Sequence, residues 1–168
     1  YSEAEPQLET LVRDQPDQMG HWLLLAAIRL ELKKLDQAEA ALQPVLALAQ
    51  HPNDEVRARA SAVLGVLGGE KAVEALTAQL DDTAPQVRAA AARALGELGA
   101  WTTCSALLRL LGDTSWPVRR ESALALRRMG GAGLLTLRRA LNATNPFAAD
   151  MARQVLDLPE SVYLQVTA

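Results

Sequence analysis

The chain predicts an all-α fold, an α-solenoid of antiparallel helix hairpins, on three observations. Val56-Arg57, Val87-Arg88 and Val118-Arg119 recur 31 residues apart. The same period carries Leu64, Leu95 and Leu126, then Gly68, Gly99 and Gly130. Between these marks the apolar residues fall three and four apart, the spacing of one helix face. A unit this short cannot bury its own apolar face and must stack on its neighbour. The expected product is elongated and presents surface.

Composition agrees and narrows the function classes. The 168 residues are 49% hydrophobic but only 4% aromatic, so the core is built of Ala, Leu and Val, the composition of closely packed helices. A net charge of -3 opposes a general phosphate-backbone binder, and no nucleic-acid partner is expected. Cys104 is the only cysteine, which rules out an intrachain disulfide and leans toward a cytoplasmic setting. The longest apolar run, Trp22 to Ile28, is far short of the roughly 18 residues of a membrane span. The opening residues read as mid-helix and no signal peptide is visible, as in a piece of a longer protein.

Taken in order, residues 1–50 form a first helical region. Pro16, Trp22, Leu25, Ala26 and Ala38 have a spacing that resembles a tetratricopeptide unit over about 16–50, with Trp22 and Leu25 packing on Ala38. Leu8 to Leu11 then closes a preceding unit. The resemblance departs at Arg29, where tyrosine is usual, and at Gln50, with the closing proline arriving late as Pro52. The junction His51-Pro52-Asn53-Asp54 is too short for a flexible linker, so one continuous solenoid is expected.

Residues 54–158 hold the repeats. The first places Val73, Leu76 and Leu80 inward, turns at Asp81-Asp82-Thr83 and reopens at Pro85. In the second, Val87, Ala91, Ala94, Leu95 and Leu98 share a face, Gly99 stops the helix, and Cys104, Leu107 and Leu111 point inward. Asp113-Thr114 makes the next turn, and Pro117 sits in a first helical turn where its missing N–H is harmless. Trp116, in that turn, is expected to pack beneath the next helix. The third unit loses one residue in Gly130-Gly131-Ala132-Gly133 and turns Leu134, Leu137 and Leu141 inward. A decayed fourth runs from Pro146 to about Leu158. In the tail, 159–168, Val162, Leu164 and Val166 alternate like a short strand.

The cores VRARASAVLGVLGG, VRAAAARALGELGA and VRRESALALRRMGG resemble the short HEAT-like repeats of phycobilisome lyases, over roughly 54–157. That resemblance implies stacked hairpins and a family of scaffolds, adaptors and a few enzymes. It also implies that Arg57, Arg88 and Arg119 form a structural ladder with turn aspartates such as Asp82 and Asp113, rather than an anion-binding stripe. Because His51 stands one period before Asp82, the ladder is expected to start irregularly at Arg57.

No catalytic constellation stands out. His21 and His51 have no carboxylate or cysteine at ligand spacing, and a metal site needs three or four converging ligands. No metal or cofactor is expected. Cys104 reads as a small core residue. Asp81-Asp82 reads as a cap for the following helix rather than an acid–base pair.

The informative residues face solvent on the second helix of each unit, read here as the inner wall. Registering on the inward leucines gives the rows Glu70/Trp101/Gly131, Glu74/Ser105/Leu135, Thr77/Leu108/Arg138 and Ala78/Arg109/Arg139. Trp101, Leu108, Arg109, Leu135, Arg138 and Arg139 therefore share one surface with the composition of an interface hot spot. The expected function is a non-enzymatic scaffold or adaptor that binds a protein partner through the concave face of the solenoid. The same patch could instead meet a neighbouring domain of the same chain. The resemblance also brings in bilin lyases and DNA glycosylases; the dispersed aromatics argue against the first and the net charge against the second.

Overall fold

In the computed structural model, the described residues are 4–15, 18, 20, 21, 24, 25, 28 and 35–167. Among the described residues the bounded α-helices are, in order, α1 Ala4–Asp14, α2 Leu35–Leu48, α3 Asp54–Leu67, α4 Glu70–Gln79, α5 Pro85–Glu97, α6 Cys104–Leu110, α7 Trp116–Arg128, α8 Gly131–Ala140, α9 Pro146–Asp157 and α10 Glu160–Thr167. A 3-10 turn, Trp101–Thr103, leads into α6. Pro16, Trp22, Ala26 and Arg29 of the tetratricopeptide-like pattern, and the side chain of Ala38, lie outside what is described. Leu8 and Val12 of α1 pack with Leu25 and Ile28.

One continuous core runs from Leu42 and Val45 of α2, and Ala49 just past its end, through Leu64, Leu76, Leu95, Leu107, Leu126 and Leu137 to Met151 and Val155 of α9. Its residues are those the period predicted, because each repeat offers the same apolar stripe to the next. A buried polar bridge ties α2 to the first repeat: Ser61 Oγ donates to Gln79 Oε1 at 2.8 Å, and Gln79 Nε2 donates to the Ala49 carbonyl at 3.3 Å. At the end of α5, Gly99 has a φ of 63° and the Ala100 N–H reaches back to the Leu95 carbonyl, a turn that a Cβ would strain.

The two helices of a repeat pack differently along the stack. First helices α3, α5 and α7 lie against one another at backbone range. A Cβ on Gly65 would sit 2.8 Å from that of Ala94, and one on Gly96 would sit 2.6 Å from the Ala125 Cα. Second helices α4 and α6 stand apart, with a groove between them. Alanine and glycine draw the first helices together, while α4 and α6 leave space between them.

The arginine ladder joins consecutive repeats. Arg57 Nε and Nη2 donate to Asp82 at 2.7 and 2.8 Å, while Nη1 donates to the carbonyls of His51 and Pro52. Arg88 repeats the pattern with Asp113 and the carbonyls of Asp82 and Thr83. Each arginine reaches forward for its carboxylate and backward only for carbonyls, so His51 is no irregularity. The break comes at the other end. Arg119 finds no acid in the turn 141–145 and lies 4.7 Å from the centre of the Phe147 ring.

The turn aspartates act one step earlier than a cap. Asp82 Oδ1 accepts from the Ala84 N–H and Asp113 Oδ1 from the Ser115 N–H, both at 2.8 Å, while Ala84 and Ser115 hold the cap positions without side-chain bonds. Asn53 and Asn145 cap α3 and α9 directly.

The tail is helical rather than a strand, because Arg127 captures it. Arg127 stands where Gly96 and Gly65 stand one and two periods earlier. Its Nη1 donates to the carbonyls of Val155 at 2.6 Å and Leu158 at 2.9 Å; Nη2 donates to Glu160, and the Tyr163 ring lies 4.2 Å from the guanidinium. Burial holds the Tyr163 phenol above its ordinary pKa. The last carbonyls of α9 and the first turn of α10 thus share one cation.

Candidate functional site

Second helices α4, α6 and α8 run in the same direction, so the rows read from the sequence line up. Trp101, in the short turn before α6, is 66% exposed, and Leu135 on α8 is 56% exposed, well above what a packed side chain shows. Arg138 and Arg139 are exposed in the last turn of α8. All four are exposed residues of the second-helix row.

Two of the six expected residues behave differently. Leu108 is half-buried and packs against the core, because α6 and α8 touch along that side. Arg109 is exposed but engaged: its Nη2 lies 2.8 Å from Asp81 Oδ1, across the gap between α4 and α6. Inward residues shift as well. Ala72, Leu76 and Gln79 are the buried positions of α4 and Leu80 is buried at its C-cap, with Val73, Cys104 and Leu134 half-buried. The Cys104 thiol sits 3.7 Å from the Met129 sulfur.

The groove between α4 and α6 has a volume of about 1040 Å³. Val73 and Leu98 supply apolar floor, Glu70 and Glu74 one rim, Thr102 and Ser105 the other. The rows of the sequence named the rim residues, yet nothing in them signalled the space, which arises from the spacing of the helices. Arg127 was also missed; the signal was the loss of glycine at the third position of the row Gly65, Gly96, Arg127.

On the opposite face, Trp116 is the first residue of α7 and 53% exposed, with the Arg120 guanidinium 5.8 Å from its ring centre. It does not pack beneath the next helix. Instead it edges a small cavity of about 150 Å³ with Leu124, Met151 and Val155. Among the described residues no group of three or more His, Cys, Asp or Glu could hold a metal, and no helix is long and apolar enough to cross a membrane.

A family model for HEAT repeats matches residues 73–157, just over half of the chain. The chain belongs to the HEAT-repeat family. HEAT repeats generally mediate protein–protein interaction. Among solved structures, the chain is similar to an engineered protein from the Northeast Structural Genomics Consortium, with a TM-score of 0.53 and 22% identity. The match covers 91% of this chain and 78% of that one, and it speaks to the fold alone. Among curated proteins none matches.

Proposed function

We propose that this HEAT-repeat chain is a non-enzymatic scaffold or adaptor that docks a protein partner on its second-helix row. The observation that carries this is the pair of large apolar side chains, Trp101 and Leu135, left exposed beside Arg138 and Arg139. Exposed single hydrophobics are ordinary, but an indole in the turn that opens α6, with a leucine and two guanidiniums on α8, has the make-up of a hot spot. Docking occurs on the second helices, where Trp101 and Leu135 stand, rather than over Ala62, Ala89 and Ala90 of the first helices, which offer little to grip.

The test is capture from the native cell extract with the wild-type chain, Trp101→Ala, Leu135→Ala and the double variant Arg138→Ala/Arg139→Ala. A protein retained by the wild type, reduced by each variant and bound again after purification supports the reading. Equal retention by all four removes it.

A further inference from the structure

The groove between α4 and α6 extends the docking face toward acidic ground, and the inference drawn from it rests on the second-helix row being that face. Glu70 and Glu74 are one helical turn apart, so their like charges repel and cost α4 a few tenths of a kcal/mol. Neither has an ion-pair partner among the described residues. The third acid of the groove, Asp81, is occupied by Arg109 at 2.8 Å. Beneath the two free carboxylates lie Val73 and Leu98. Farther along the row, the exposed charges of α8 are the opposite sign, Arg138 and Arg139.

We propose that the α4–α6 groove takes a basic, extended segment of the partner, with lysine or arginine over Glu70 and Glu74 and an apolar side chain seated on Val73 and Leu98. The change of sign between α4 and α8 then sets the direction of the bound segment, basic end toward α4 and acidic end toward α8. A segment laid the other way places like charges together at both ends.

The probe is a lysine-rich peptide with a central leucine, compared with its glutamate counterpart. Binding is read by the fluorescence of Trp101 in the full chain carrying Trp22→Phe and Trp116→Phe. The lysine peptide binds saturably, more weakly as salt rises, and about tenfold more weakly to Glu70→Gln/Glu74→Gln, the loss expected for two rim ion pairs. Both positions are exposed, and an unchanged thermal melt establishes that the variant folds. No saturable binding, equal binding to the glutamine variant, or preference for the glutamate peptide overturns the assignment. Those results leave the capture experiment on Trp101 and Leu135 untouched, so the two proposals fail separately.

Discussion

Arg88 and Asp113 meet through two parallel hydrogen bonds, 2.8 and 2.9 Å, that lock the second repeat to the turn before the third. Both side chains are largely shielded, 15% and 9% exposed, so the pair is screened far less than a surface bridge. Replacing Asp113 with alanine leaves a guanidinium half-satisfied and a turn without its bond to Ser115. The expected loss is about 2 kcal/mol of unfolding free energy. Arg119→Ala, which gives up carbonyl bonds and a ring contact but no carboxylate, costs about half as much. Urea denaturation of both variants, with unchanged slope, checks the order.

The ladder makes the fold acid-sensitive. Hydrogen bonding from Arg57 holds the Asp82 carboxyl below the usual range, helped by the Ala84 N–H and opposed by burial. At Asp113 burial pushes upward, but Arg88 and the Ser115 N–H together outweigh it and the net direction is again down. A carboxyl depressed in the folded state stabilises it above the unfolded value, about 3.9, and loses that contribution as pH falls through the folded value. Stability therefore declines as pH drops below about 4. Asp82→Asn/Asp113→Asn is less stable at neutral pH and shows a flatter acid limb in denaturant midpoints measured across pH.

Row spacing depends on Gly96. An added Cβ meets the Ala125 Cα at 2.6 Å, where backbone rather than a flexible side-chain tip must move. Gly96→Ala should cost about 1–3 kcal/mol despite alanine's higher helix propensity. Gly131→Ala, with no atom within 4 Å of the new Cβ, should be neutral or stabilising by up to about 1 kcal/mol. Thermal melts of the two single variants separate close packing from propensity; equal effects would refute the packing account.

Arg127 holds the end of the stack. Arg127→Ala frees the carbonyls of Val155 and Leu158 and removes the cation beneath Tyr163. Amide exchange across 160–167 should accelerate sharply, while protection in α5 and α7 changes little. Uniform loss of protection over the whole chain would show instead that the clamp supports the global fold.

Much of the architecture was legible in residue order because a 31-residue period and a helical stripe are local properties. Val87, Leu95 and Gly99 declare a helix, its buried face and its stop without any knowledge of the neighbour. The same locality marked Trp101, Leu135, Arg138 and Arg139 as solvent-facing, since equal register in each unit needs only the repeat. Spatial relations between repeats were not legible. Which row is tighter depends on Gly65 and Gly96 meeting Ala94 and Ala125, and those contacts involve atoms about thirty residues apart. The wider spacing of α4 and α6 opened the groove beside Glu70 and Glu74, and contact between α6 and α8 drew Leu108 into half-burial. Likewise, the alternation of Val162, Leu164 and Val166 suits a strand in isolation. Tertiary structure overruled it, because a short terminal segment takes the conformation of whatever captures it, and Arg127 offers a helix end.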